Sequence, residues 1–148
     1  MAMHGLYLED LAPGMSAAFS KTITEADILL FSAVCGDTNP VHMDQEFASQ
    51  TLFKGRVAHG MLSASLLSTV FGTKLPGPGA IYVTQNLRFT APVRIGDTVV
   101  ATVTVETIDK ERRFVTFGCV CAVGKKTVIE GSATLRVSAR PAVAEAAE

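Results

Sequence analysis

The segment "HGMLSASLLSTVFGTKL", His59 to Leu75, carries no charged residue before Lys74. A helix on a protein surface shows a charged or polar stripe opposite its apolar one. This segment has none, so it reads as a helix buried on nearly every side. "PGPG" at Pro76–Gly79 stops it. The C-terminal half of the chain must supply its cover. In "IYVTQNLRF" the period of two puts Ile81, Val83, Gln85, Leu87 and Phe89 inward. "TVVATVTVE" aligns Val99, Ala101, Val103 and Val105 on one face, and "RFVTFGCVCAV" and "TVIEGSATLRV" keep the same period. "RIGD" at Arg94–Asp97 and "VGKK" at Val123–Lys126 are turn signals. A buried helix and then four antiparallel strands imply an α+β fold, with an antiparallel sheet curved around one central helix.

Upstream, "SAAFSKTIT" has the look of a short strand. "TEADILLFSAV" is a helix with Thr24 as N-cap and Glu25 and Asp27 in the first turn, where the helix dipole favours acids. Ile28, Phe31, Ser32 and Cys35 form its inner face, and Gly36 and Pro40 end it. "QEFASQT" is one more short helical piece. The 148 residues fit a single domain. Its expected limits are 16–138, with an N-terminal segment at 1–15 and a disordered tail at 139–148.

Hydrophobic residues make up 48% of the chain and charged ones 18%, with mean hydropathy +0.32. So apolar a surface implies that part of it is hidden in an oligomer. The net charge of −1 offers no general attraction to nucleic acid or anionic lipid. No apolar run approaches the ~20 residues of a membrane helix, and the first residues lack the pattern of a signal peptide. The three cysteines form no disulfide framework. Cys119 and Cys121 share one strand face and read as buried thiols. The expected location is the cytoplasm.

Chemistry-bearing residues gather around the buried helix. In "VCGDTNPVHMD", Asp37 and His42 lie five positions apart. They either shape a chain reversal or face one water and move its protons. In "HGM", Gly60 either allows a tight helix entry or presents its backbone N–H to an oxygen gaining negative charge. Ser65, one turn on, either bonds a carbonyl of the preceding turn or faces a site. Gln85 interrupts an inward apolar row, which fits a wet pocket or a subunit contact. His4, His42 and His59 lack metal-ligand spacing, so no metal is expected. No phosphate-cradling glycine loop and no GxSxG nucleophile elbow is present.

Taken together, "GDTNPVHMD", "VAHGML" and "ASLLSTVFGTKLPGPGAIYVTQNLRFTAPVRIGD" resemble the MaoC-like dehydratases, and most nearly the R-specific enoyl-CoA hydratases. The resemblance runs from about Ser16 to Val137. It implies the hot-dog fold, a sheet wrapped around a long helix. It implies a catalytic pair at Asp37 and His42, an oxyanion-binding N–H at Gly60 and a supporting serine at Ser65, with Asn39 shaping the loop. The implied reaction is reversible addition of water to a trans-2-enoyl-CoA, giving (R)-3-hydroxyacyl-CoA. No cofactor is implied, since coenzyme A belongs to the substrate. Arg88, Arg94, Lys110, Arg112 and Arg113 are available for its phosphates, though each also reads as a solvated charge. The resemblance implies a homodimer with sheets joined side by side, or a dimer of dimers. A hot-dog thioesterase and a non-catalytic acyl-CoA-binding protein are the competing readings.

Overall fold

The computed structural model describes residues 4–141. Five strands form one antiparallel sheet in the order β1-β3-β4-β5-β2: β1 Ser16–Thr22, β2 Ile81–Phe89, β3 Thr98–Asp109, β4 Phe114–Val123 and β5 Lys126–Arg136. The helix α4, Gly60–Thr73, lies on the concave face against β1, β3 and β4. Between β1 and α4 the chain makes α1 Glu25–Cys35, α2 Pro40–Met43 and α3 Gln45–Ser49. This is the hot-dog arrangement, and its alternation is the expected one. Val99, Ala101, Val103 and Val105 of β3 are all buried, as are Val115, Phe117, Cys119 and Cys121 of β4.

α1 begins where the sequence signals it. Thr24 Oγ1 accepts from the Asp27 N–H, and the Asp27 carboxylate accepts from the Thr24 N–H at 2.8 Å. That reciprocal cap, with the Thr24 hydroxyl also donating, holds the Asp27 carboxyl below its ordinary pKa of 3.8. Gly36 ends the helix at φ 80, a left-handed conformation that glycine adopts without strain. Of the expected inner face, Ile28 and Ser32 are buried, Phe31 partly so, and Cys35 is exposed.

Two expectations are corrected. α4 is not covered on nearly every side. Leu62, Ser63, Ala64, Leu66, Leu67, Val70 and Phe71 are buried, but Met61, Ser65, Ser68 and Gly72 form an exposed, uncharged stripe. Their spacing of four, three and four residues is that of one helix face. The strand β2 is also not simply inward-facing at alternate positions. Its pairing with β5 shifts between Tyr82 and Thr84, so Val83 is an extra residue in a bulge. Tyr82 therefore opposes the buried Leu135 and meets Phe71 edge-on with ring centroids 5.3 Å apart. Ile81 and Val83 are exposed, and Tyr82 itself is 39% exposed. Beyond the bulge Gln85, Leu87 and Phe89 oppose Ala133, Gly131 and Ile129, yet only Leu87 is partly buried; Gln85 and Phe89 are exposed, against the expected inward row.

The first described residues are part of this body. Leu8 and Leu11 are buried in the main core, and the Gly5 and Leu6 N–H groups donate to Pro78 and Pro76 carbonyls. At the other end, the Arg140 N–H donates to Glu9 at 2.8 Å. The remainder of the tail expected to be disordered, 142–148, lies outside the described residues. No helix among the described residues is long and apolar enough to cross a membrane.

Candidate active site

The loop from α1 to α4 is pinned so that its polar residues converge on the start of α4. Arg56 is the main tie. Its guanidinium makes two 2.9 Å bonds to the Glu25 carboxylate, and its Nε donates to the His42 carbonyl at 2.6 Å. The Ala58 N–H donates to Val93 at 2.7 Å, which fastens the approach to α4 onto the β2–β3 connection. Within the loop, Asn39 Oδ1 accepts from the Val41 N–H at 3.1 Å and caps α2, with Pro40 as its first residue. Asn39 thus shapes the loop.

Asp37 and His42 are brought together. Asp37 Oδ2 lies 3.9 Å from His42 Nε2. That is too long for a direct hydrogen bond and suits a water held by both. Asp37 Oδ1 accepts from the Asn39 N–H at 3.1 Å, which orients the carboxylate. His42 Nδ1 lies 2.8 Å from the Val57 carbonyl. A carbonyl can only accept, so in the neutral ring the proton is on Nδ1 and the lone pair of Nε2 faces Asp37. That is the tautomer a general base requires. The His42 side chain is 12% exposed and that of Asp37 53%.

Gly60 is the first residue of α4 and His59 its N-cap. The Gly60 N–H has no acceptor one turn back, because helix-initial amides never do. The glycine answers a close contact. A Cβ built there would lie 2.8 Å from Phe89 Cε1 and 2.9 Å from Cδ1. Phe89 and Gly60 both line two cavities of about 470 Å³ each. One runs past His42, Val57, Ser63 and Ile129, and the other past Cys35, Asp37 and Met61.

Ser65 is placed elsewhere. Its Oγ donates to the Leu62 carbonyl at 2.6 Å, and it lies on the exposed stripe of α4, lining neither cavity. Ser63 faces a cavity instead, 1% exposed with its Oγ unpartnered. Gln85 makes local bonds, accepting from the Tyr82 hydroxyl and donating to the Ser132 carbonyl at 2.9 Å. Three residues that sequence reasoning left outside the site belong to its walls: Ser63, Phe89 and His59. For His59 the available signal was its place in "HGM", directly before the Gly60 that the motif singles out.

Asp37, His42 and His59 each offer a donor atom within 4.8 Å of the others, the spacing of a potential metal site. Hydrogen bonds already occupy His42 Nδ1 and His59 Nε2. Of the five cations considered for coenzyme A phosphates, Arg88 pairs with Glu130 at 3.5 Å and Arg112 with Asp109 at 3.9 Å. Arg94 donates to the Phe53 carbonyl. Those three have structural partners.

The family model described as "MaoC like domain" matches residues 10–136. An (R)-specific enoyl-CoA hydratase of Rhodospirillum rubrum is 58% identical over 134 residues, covering 90% of this chain and 93% of that protein. A 3-hydroxybutyryl-CoA dehydratase of Methylorubrum extorquens is 46% identical over 132 residues, 89% of this chain and 84% of that one. Among solved structures, the unliganded R-hydratase PhaJ1 of Pseudomonas aeruginosa superposes with a TM-score of 0.87 at 37% identity, covering 98% of this chain and 96% of that one.

Proposed function

The chain belongs to the MaoC-like domain family, and on that premise we propose that it adds water reversibly across a trans-2-enoyl-CoA to give (R)-3-hydroxyacyl-CoA. The observation that carries the reading is the facing pair, Asp37 Oδ2 and His42 Nε2 at 3.9 Å, beside the open N-terminus of α4. The thioester oxygen points at the Gly60 N–H. As water adds at C3 the oxygen becomes enolate-like, and a preorganised amide at a helix N-terminus stabilises that charge. The water sits between Asp37 and His42. His42 Nε2, with its lone pair free, takes one proton of the water as its oxygen bonds to C3; that proton, carried on the Asp37–His42 pair, is then delivered to C2, and the other stays on the new hydroxyl. General acid–base groups of this kind contribute about 10²–10⁴-fold. R stereochemistry follows from the named relatives. No cofactor is needed beyond the coenzyme A that the substrate carries.

The working form is a homodimer. β2 is an edge strand, and an unpaired apolar edge is a pairing surface. Ile81 and Val83 are exposed along it, and Met61 is exposed on the adjoining helix stripe. Three unpaired thiols suit a reducing cytoplasm.

The test is hydration of crotonyl-CoA, followed as loss of the conjugated enoyl-thioester absorbance, with chiral analysis of the product. An (R) product supports the reading. Thiol release without hydration would establish a thioesterase instead. Light scattering that finds only monomer at micromolar concentration would remove the dimer.

A further inference from the structure

We infer that His59 is a positioning residue that holds both halves of the Asp37–His42 pair in register; this rests on the hydratase reading above. His59 is 2% exposed. Its Nε2 lies 2.9 Å from the main-chain carbonyl of Asp37. Since a carbonyl accepts, the neutral ring carries its proton on Nε2. Ser32 Oγ donates to the same carbonyl at 2.9 Å, so both lone pairs of the Asp37 oxygen are engaged. That carbonyl is the anchor from which the Asp37 carboxylate is suspended. The other half of the pair rests on the His59 ring. The His42 and His59 rings are 3.9 Å apart between centroids and tilted by 32°. Phe31 closes on His59 at 5.0 Å. His59 is also the residue immediately before Gly60.

The remaining atom of His59 argues against a purely structural role. Nδ1 is buried with no hydrogen-bond partner. Buried polar atoms are almost always paired, and each exception calls for a reason. As an apolar filler at this position, a phenylalanine or leucine would leave no orphaned nitrogen. A ring that must donate on one side and stack on another meets both demands only as histidine, and Nδ1 is then left over. The two histidines consequently hold opposite tautomers, Nδ1–H in His42 and Nε2–H in His59.

The experiment has two arms. The first uses wild-type protein and no substrate. The chain has three histidines, His4, His42 and His59. Long-range ¹H–¹⁵N spectra at a pH where the rings are neutral report each tautomer. His59 as Nε2–H and His42 as Nδ1–H are expected. His59 as Nδ1–H would overturn the inference, whatever the enzyme's activity, because the bond to Asp37 would be absent.

The second arm uses His59→Phe, which keeps a ring against His42 but cannot donate, and His59→Gln, which can donate but not stack. Each is expected to lose kcat for crotonyl-CoA by about 10–100-fold, the range that a misplacement near 1 Å produces, with KM within about threefold. Melting temperature and dimer content are measured beside the kinetics. A folded variant that keeps kcat within about threefold of wild type, or one whose loss falls on KM alone, would overturn the inference. A wild-type enzyme that hydrates nothing would refute the hydratase reading and leave the tautomer arm to decide on His59.

Discussion

Gly60→Ala tests the packing at the start of α4 and the chemistry there together. The new methyl would lie 2.8 Å from Phe89 Cε1, and ordinary contact begins near 3.4 Å. The ring must retreat by about half an ångström, which overpacking data put at about 1–3 kcal/mol. Two effects soften this. Phe89 is 50% exposed, so its ring has somewhere to go. Alanine is also the better helix former, by up to about 1 kcal/mol. The expected net loss is therefore about 1 kcal/mol, a fall of a few degrees in Tm. In a Phe89→Ala background the conflict is gone and the loss should vanish, because residues in contact couple. Activity is expected to suffer more than stability. The methyl and the displaced ring crowd the N–H assigned to the thioester oxygen, and a misplaced oxyanion contact costs about 10²-fold. Thermal melts and crotonyl-CoA kinetics on the two single variants and the double variant decide it. A Gly60→Ala protein with wild-type Tm and wild-type kcat/KM would refute both the Phe89 contact and the oxyanion role of Gly60.

Close packing and burial elsewhere lead to three more expected outcomes. At Gly131 a Cβ would fall 1.9 Å from the Asn86 carbonyl oxygen, and backbone cannot yield as a side chain does. Gly131→Ala should cost about 3 kcal/mol or more in urea unfolding; a cost below about 1 kcal/mol would mean that β2 and β5 are not so close. Burial pushes the Cys119 thiol up to about 11 and the Cys121 thiol up to about 12, from an ordinary 9.0. At pH 8 a thiol reagent should label Cys35 quickly and the other two only on unfolding. The unfolded chain releases those thiol protons first, so stability should decline as pH rises above about 9 and through the folded values. Rapid labelling of three thiols in folded protein would contradict this burial.

Local signals were legible where one element decided them. Thr24, Asp27 and Gly36 frame α1 because caps are local chemistry, and the β3 and β4 alternation survives because both strands are interior. The errors arose where the deciding partner lay elsewhere. Period-two counting cannot see the Val83 bulge, which exists only in the pairing with β5. The lack of charge in α4 implies burial on nearly every side, whereas Met61, Ser65, Ser68 and Gly72 are open. The absence of charge along a helix does not by itself tell which of its faces this chain covers. Asp37, His42 and Gly60 carried motif spacing, and the structure sets Asp37 and His42 facing one another, with Gly60 lining a cavity beside each. Phe89 meets Gly60 only through tertiary contact, for which spacing holds no trace.

The central claim is that Asp37 and His42 move protons on one water. Its most direct test is kcat for crotonyl-CoA in Asp37→Asn, His42→Gln and the double variant, each checked for fold and dimer content. Every single variant should fall by about 10²–10⁴-fold. Residues that act as a unit are not additive, so the double variant should lose far less than the product of the two single losses. Near-wild-type kcat in either well-folded single variant would contradict the account and leave Asp37 and His42 as residues of a turn.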